Sequence, residues 1–319
     1  MPRPRGKGVR VVSVSPVTLA TERLRISIDP GRGADILSIL DLVTDVELLF
    51  STPWRGQADA IRAGAAPQYA GDSAQAWLEQ YRGGWQTLCP NAGPPREYLG
   101  AKLGFHGEAS TVEWKLEHLD DTSAELSVDL FTVPLRIRRH LSVDGGSVEV
   151  VDELTNVSDR PLTVDYSHHP ALGSAFLGDE CEVSTNATMF TPDTTSDAPP
   201  FRWDEVGSRM SALPGPEGQM QEFGWLSGFP TDGAWAAVTN PTLGVTARLT
   251  WDPKLLPHAW WWQEFNSTQE FPWFGKARVF AIEPASTPTS GPGRAGGVNV
   301  ASRATVSIPV RLTVEHSVA

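Results

Sequence analysis

The amino-acid sequence predicts an all-β protein that folds as one large antiparallel β-sandwich. Apolar and polar residues alternate with a period of two in segment after segment, whereas the 3.6-residue period of a helix is scarce. Turn-forming residues are abundant, with 29 Gly and 26 Pro among 319 residues. Many short alternating segments, separated by turns over the whole length, are typical of a sandwich.

The first predicted strands lie near the N-terminus. Leu24, Ile26 and Ile28 alternate with polar residues before a Pro-Gly turn, and strands are predicted at residues 36–42 and 46–50. The best short helical pattern follows at residues 73–82. The basic residues at the start of the chain are not followed by an apolar run, so we expect residues 1–10 to form a flexible tail.

The middle of the chain predicts two hairpins. Segments 111–119 and 125–130 alternate on either side of Asp120-Asp121. Segments 136–141 and 147–154 flank the turn signal Asp144-Gly145-Gly146.

The remaining strands are predicted at five segments, namely 162–166, 234–239, 244–251, 276–283 and 304–314. The composition does not change abruptly between them and no linker separates unlike regions. We therefore expect a single domain over residues 1–319.

Composition excludes several functional classes. Lys plus Arg total 26 and Asp plus Glu total 38, for a net charge of −12, and an acidic chain is poorly suited to nucleic acid. No apolar run approaches the roughly 18 residues of a membrane-spanning helix, so no membrane partner is expected. The two cysteines are too few for a disulfide framework, which favours a reducing, cytoplasmic location.

Three histidines stand outside plain strand patterns. His106 lies between Gly104 and Gly107, and His168-His169 precede a proline that favours extended backbone. The three imidazoles could be imagined as a metal site. Adjacent residues of an extended chain point to opposite faces, however, so both neighbours could hardly bind one ion, and we expect no metal.

Glu283 is a candidate general base. It follows the apolar run 277–282 and precedes Pro284, which places a carboxylate at the rim of a buried strand. Partial desolvation would raise its pKa towards neutrality and suit it to proton transfer. The alternative is an ordinary solvated carboxylate at a strand end.

A run of three tryptophans suggests a sugar-binding surface. Strand alternation would place Trp260 and Trp262 on one face and Trp261 on the other. Indole faces stack on the C–H faces of sugars while neighbouring polar groups bind the hydroxyls. The alternative is that at least one of these rings fills the core.

Taken in order, these residues resemble the aldose 1-epimerase (galactose mutarotase) superfamily, particularly its hexose-phosphate epimerase-like and uncharacterised branches. The resemblance covers roughly residues 20–315. It rests on Tyr81-Arg82-Gly83-Gly84 running into Pro90-Asn91-Ala92-Gly93, His106-Gly107-Glu108, Asn156-Val157-Ser158-Asp159-Arg160-Pro161, His169-Pro170 and Glu283-Pro284.

The resemblance implies a β-supersandwich of the galactose mutarotase-like type, with a cleft on one sheet. It implies that Glu283 is the general base, that His169 is the general acid, and that His106 and Arg82 bind the sugar. Asp232 is the nearest match to the substrate-binding Asp of the superfamily. The implied activity interconverts the α and β anomers of a small-molecule aldose without a cofactor.

Two other functions remain open on the sequence. One is a non-catalytic sugar-binding module on the same fold. The other is a metal-dependent sugar isomerase or lyase that uses His106 and His169. An acidic substituent on the sugar could be bound by Arg82, Lys102 or the group Arg136, Arg138 and Arg139, although solvated strand-face charges are the alternative for Arg136 and Arg138.

Overall fold

The computed structural model describes residues 15–69, 71–193, 198–288 and 295–317, so the tail predicted for residues 1–10 lies outside it. Within these ranges the helices are short: α1 (Arg55–Arg62), α2 (Ser73–Gln80), α3 (Trp203–Met210) and a 3-10 turn at Glu108–Ser110. The strands are β1 (Val17–Ala20), β2 (Leu24–Asp29), β3 (Asp35–Asp41), β4 (Val46–Glu47), β5 (Trp85–Leu88), β6 (Arg96–Tyr98), β7 (Ala101–Leu103), β8 (Lys115–Leu119), β9 (Ser123–Asp129), β10 (Leu135–Asp144), β11 (Ser147–Asn156), β12 (Leu162–Val164), β13 (Ser167–Gly173), β14 (Glu182–Thr185), β15 (Met189–Pro192), β16 (Phe201–Arg202), β17 (Met220–Ser227), β18 (Ala234–Asn240), β19 (Val245–Trp251), β20 (His258–Phe265), β21 (Arg278–Ala285), β22 (Val298–Val300) and β23 (Thr305–His316).

Two large antiparallel sheets confirm the predicted all-β sandwich. The first, called the cleft sheet below, has the order β1-β2-β3-β5-β13-β21-β20-β17-β15-β16, with β4 paired to β3. The second, called the rear sheet, has the order β14-β18-β19-β23-β11-β10-β9-β8. One hydrophobic core lies between them, to which the cleft sheet contributes Ile26 and Phe280 and the rear sheet Leu126 and Val150.

The predicted hairpins are present, with one shortened strand. β10 and β11 pair through Asp144 and Ser147 across the predicted Gly-Gly turn. The strand predicted at residues 111–119 begins only at Lys115, because the chain before it makes the 3-10 turn and the Trp114 Nε1–H donates to the carbonyl of Ala109 at 2.9 Å. Trp114 is thereby fixed in the core instead of alternating along a strand.

The predicted helix at residues 73–82 is confirmed as α2, which ends at Gln80. The Asp72 carboxylate caps it by accepting from the backbone N–H groups of Ala74 and Gln75. The sequence predictions missed α1 and α3, whose patterns are short and rich in polar residues. No helix of the described chain is long and apolar enough to cross a membrane.

A buried ion pair joins the two sheets. Arg139 of β10 donates to both carboxylate oxygens of Asp152 on β11, at 2.8 and 2.7 Å, and both side chains are almost completely buried. The guanidinium also donates to the Ala34 carbonyl at 3.1 Å and to the Thr87 hydroxyl, so it crosses to the cleft sheet. Arg139 is therefore a structural residue of the core, and it cannot bind an acidic substituent of a sugar.

The same network fixes β13. The Trp85 Nε1–H donates to His168 Nδ1 at 3.0 Å, and the Tyr166 hydroxyl lies 2.9 Å from His168 Nε2 and 2.7 Å from Asp152. Because indole can only donate, Nδ1 accepts, Nε2 carries the proton and donates to Tyr166, and the tyrosine donates to Asp152. Burial lowers the pKa of His168 to about 3, which keeps this imidazole neutral.

Breaking the buried pair Arg139–Asp152 should strongly reduce the free energy of unfolding. Burial alone would raise the pKa of Asp152, but Arg139 holds it below its ordinary value, so the carboxylate is charged in the folded protein. Asp152→Ala leaves an unpaired guanidinium in the core, which should cost about 3–5 kcal/mol in the free energy of unfolding measured with urea.

The matched control is the exposed pair Arg136–Asp129 on the neighbouring strands, with a 2.8 Å contact. Asp129→Ala should change stability little, because solvent screens this pair. Equal losses in the two variants would contradict the structural role assigned to the buried pair.

Candidate active site

Strand register places four side chains in one row across the cleft sheet. Trp260 on β20 pairs with Glu283 on β21. The register of β21 and β13 places Glu283 opposite His169, which in turn pairs with Gln86 on β5. Directly opposed residues of antiparallel strands share a face, so all four stand on the side of the sheet away from the sandwich core.

His169 and Glu283 are more deeply buried than the sequence suggested. Glu283 was expected at the rim of a strand and His169 outside a plain strand pattern, but they lie inside β21 and β13, 1 % and 5 % exposed. His169 Nε2 is 3.6 Å from Glu283 Oε1. Burial lowers the pKa of His169 to about 4 and raises the pKa of Glu283 well above its ordinary value. Burial therefore favours the uncharged form of each group.

A cleft of about 290 Å³ opens over this pair. Its wall includes His106, whose Nδ1 accepts from the backbone N–H of Gly93 at 3.1 Å. Burial, with a contribution from His169, lowers the pKa of His106 well below its ordinary value, so the ring is neutral and carries its proton on Nε2. His106 therefore offers one N–H donor at the cleft.

Steric crowding requires glycine at the position after His106. Gly107 has φ of +77°, and a Cβ there would lie 2.4 Å from the carbonyl oxygen of Cys89. Only glycine allows this turn, which holds His106 against Trp77 with ring centroids 4.6 Å apart. The His-Gly spacing noted in the sequence thus positions a cleft side chain.

Three residues that line the cleft each have a buried polar atom without a hydrogen-bond partner in the protein: Tyr81 Oη, His169 Nδ1 and Glu283 Oε2. Gln86 Oε1, on the strand beside His169, is also unpaired. More than nine in ten buried polar groups in folded proteins are paired, so this grouping is unusual. Together they form a site that a polyhydroxylated ligand could satisfy with both donors and acceptors.

The predicted orientation of the tryptophan run is confirmed. Trp261 packs in the sandwich core against Phe190 and Phe280. Trp260 and Trp262 line the cleft on the opposite face. The Trp262 ring centroid lies 5.3 Å from that of His169, so a planar apolar surface borders the pair His169–Glu283.

Two predicted sugar-binding residues are not in the cleft. Arg82 is buried but is absent from the cleft lining, and its guanidinium forms an ion pair with Asp29 at 2.5 Å. Asp232 is exposed and lines a shallow depression with Glu149 and Arg311, which belong to strands of the rear sheet. The sequence analysis misplaced both residues because the local sequence does not show which way a side chain points. This holds for an Arg next to a cleft residue and for an Asp in a turn.

His168 and His169 point to opposite sides of β13, as strand alternation predicts. His168 belongs to the core network, so it cannot share a ligand with His169. Among the described residues, no group of three His, Cys, Asp or Glu side chains is arranged to hold a metal ion.

Sequence reasoning also missed residues that line the site. Tyr81 lies in the Arg-Gly-Gly segment, where only the arginine drew attention, and α2 supplies Trp77. Trp273 comes from a loop whose sequence has no periodic pattern. Its ring lies 5.5 Å from Trp262 and extends the aromatic wall.

Comparison with known proteins now assigns the family. The model of a family described as a domain of unknown function, DUF4432, matches residues 6–302. The chain belongs to the DUF4432 family. No curated protein matches it.

Solved structures resemble this DUF4432 chain over nearly its whole length. The Slr1438 protein from Synechocystis sp. PCC 6803 has a TM-score of 0.68 at 16 % identity, covering 99 % of this chain and 100 % of that one. A galactose mutarotase related enzyme from Lactobacillus acidophilus has a TM-score of 0.65 at 15 % identity, covering 94 % and 97 %. A galactose mutarotase-like protein from Lactobacillus casei has a TM-score of 0.63 at 14 % identity, covering 94 % and 100 %. The likeness confirms the galactose mutarotase-like fold that the sequence motifs predicted.

The unpaired tyrosine gives a test of whether the DUF4432 cleft is built for a ligand. Tyr81→Phe removes a buried hydroxyl that has no protein partner. Urea unfolding should show unchanged or slightly increased stability, because an unsatisfied buried group costs free energy. Affinity for an aldose, the ligand class that the resemblance implies, should fall about tenfold in calorimetry. A destabilised protein with unchanged affinity would show that the hydroxyl serves the fold.

Proposed function

We propose that this protein is an aldose 1-epimerase, in which Glu283 and His169 transfer the protons that open and close a sugar ring. The observation that carries the proposal is the 3.6 Å separation of His169 Nε2 and Glu283 Oε1 at the floor of an aromatic cleft. Each residue also has one buried atom without a protein partner, so each keeps hydrogen-bonding capacity beyond the contact between them.

The chemistry needs an acid and a base together. Ring opening removes the proton of the anomeric hydroxyl O1, breaks the C1–O5 bond and protonates O5. In our assignment Glu283 takes the O1 proton and His169 protonates O5. The C1 aldehyde then rotates, and closure on its other face returns each proton by the reverse route. Protons balance over the cycle, no electrons are exchanged, and no cofactor enters.

The pair must hold one transferable proton. The sequence assignment starts from ionised Glu283 and protonated His169, whereas burial favours the neutral pair with the proton on Glu283. The two forms differ only by moving this proton across the 3.6 Å gap. The hydroxyls of a bound sugar would stabilise the charged form by hydrogen bonding, which would prepare Glu283 as base and His169 as acid.

The lining favours a neutral sugar. No Lys or Arg is among the described residues that line the cleft. A phosphate or sulfonate would therefore be buried beside a carboxyl group without a cationic partner, which is costly. His106 and Tyr81 would bind ring hydroxyls, and Trp260 and Trp262 would face the apolar side of the ring.

Removing either member of the pair should abolish anomer exchange without abolishing binding. Glu283→Gln keeps the size of the side chain but cannot accept the O1 proton, so the rate should fall 10²–10⁴-fold while affinity stays within a few-fold. His169→Asn should lose as much. The double variant should be little worse than either, because the two groups act as a unit.

Polarimetry on a freshly dissolved pure anomer measures these rates, and calorimetry measures the affinities. The control is Glu153→Gln, an exposed carboxylate on the rear sheet, which should leave both unchanged. Wild-type exchange in Glu283→Gln would remove Glu283 from the mechanism. Binding without exchange in the wild type would instead indicate a non-catalytic sugar-binding module.

The rate should follow a bell-shaped pH profile, because only the singly protonated pair is active. The pKa of about 4 for His169 sets an acidic limb, below which the pair binds a second proton. The raised pKa of Glu283 sets the alkaline limb, above which the pair loses its proton. The apparent values belong to the pair, since the two groups are coupled. Residual activity of Glu283→Gln should lack the acidic limb, because no base remains to be protonated, and it should fall as the pH rises through the pKa of His169, the remaining acid. A flat profile in the wild type would contradict proton sharing.

A further inference from the structure

A second cavity, called the side pocket below, adjoins the cleft. It has a volume of about 310 Å³, close to that of the cleft. Leu78 and Trp273 line both cavities, so they share a wall. The mechanism described above uses no residue that is unique to the side pocket.

The lining of the side pocket is aromatic on one side and polar on the other. Trp54, Tyr69, Phe271 and Phe274 supply rings, and the Trp54 ring centroid lies 5.2 Å from that of Trp273. Trp262 of the cleft lies 5.5 Å from Trp273, so three indoles in contact run from the cleft to the side pocket.

Two of these rings are exposed beyond what the fold requires. Phe271 is 48 % and Phe274 is 56 % exposed, whereas Trp54, Tyr69 and Trp273 of the same lining are partly buried. Exposed apolar side chains grouped around a concavity mark a binding surface.

The polar side of the side pocket offers groups that can hydrogen-bond to hydroxyls. Glu79 is buried, and its oxygens accept from the backbone N–H groups of Gln68 and Tyr69 and from Gln57 Nε2. Glu79 therefore holds the segment at Gln68 and Tyr69 in place and has a structural role in the pocket wall. The Gln68 side chain is exposed at the rim, where its amide can both donate and accept, and Lys276 is the only cation of the described lining.

We propose that the side pocket binds a second neutral sugar ring, so that the substrate is a reducing disaccharide or the reducing end of a longer glycan. The proposal rests on the proposed function, because the ring with the free anomeric carbon must occupy the cleft that holds Glu283 and His169. The side pocket has no such acid–base pair, and its aromatic faces with amide groups match a pyranose.

The test compares sugars that share one reducing ring. D-glucose is set against lactose, maltose, cellobiose and melibiose, each of which has a reducing glucose. At least one disaccharide should exceed glucose about tenfold in kcat/KM for anomer exchange, equivalent to about 1.4 kcal/mol. No preference for any disaccharide over glucose, in either kcat/KM or affinity, would overturn the proposal.

Two variants assign the preference to the side pocket. Phe274→Ala removes an exposed ring, and Gln68→Ala removes an amide while leaving the backbone bond to Glu79. Each should lose most of the disaccharide preference and leave the rate on glucose unchanged. Phe131→Ala is the matched control, because Phe131 is 94 % exposed in the turn between β9 and β10 of the rear sheet and should change neither rate.

Calorimetry separates this proposal from the proposed function. If no sugar exchanges anomers, the epimerase proposal fails, yet a disaccharide that binds more tightly than glucose in a Phe274-dependent manner still supports the side pocket. Anomer exchange with equal affinity for glucose and every disaccharide supports the epimerase alone. A preference that survives Phe274→Ala and Gln68→Ala in folded protein would also overturn the side-pocket assignment.

Discussion

The placement of His169 and Glu283, the proposed acid–base pair, depends on a polar network buried between the two sheets. Arg139 and Asp152 of the rear sheet reach through Tyr166 to His168 on β13, and Trp85 on β5 completes the chain. Burying a charge is costly unless it is paired and hydrogen-bonded, so this network has few alternative arrangements. With His168 held towards the core, alternation along the strand leaves His169 to face the cleft.

The buried network orients His169 towards the cleft, and strand register orients Glu283 in the same direction. A shift of β21 by one residue would turn Glu283 into the sandwich core and bring Phe280 and Ile282 out to the cleft. The apolar residues of β21 and β20 oppose such a slip, because Phe280 and Trp261 pack together in the core. The rigid sheet thus carries the proposed chemistry, while loops and short helices supply the walls. The unpaired polar atoms at the cleft floor lower stability in order to leave hydrogen-bonding capacity for a ligand.

The sequence predicted the sheets better than it predicted the site. Alternation identifies a strand and its two faces from local residues, so the orientations of Trp260, Trp261 and Trp262 could be inferred. The resemblance led to His169 and Glu283, which the structure brings together, and to Arg82 and Asp232, which it places elsewhere. Whether a side chain reaches the cleft depends on partners distant in the chain, such as Asp29 for Arg82. Tyr81 and Trp273 were missed for the same reason, since a single aromatic residue has the same local pattern in a core and in a cleft.

The central claim is that this cleft opens and closes a sugar ring, and saturation-transfer NMR tests it most directly. The wild-type protein is mixed with an equilibrated neutral aldose, the α-anomeric proton is saturated, and the β-anomeric signal is followed. The account predicts that the protein increases the transfer of saturation from α to β well above that in buffer, without added metal or cofactor. A sugar that binds in the cleft with no transfer above the buffer rate would contradict it.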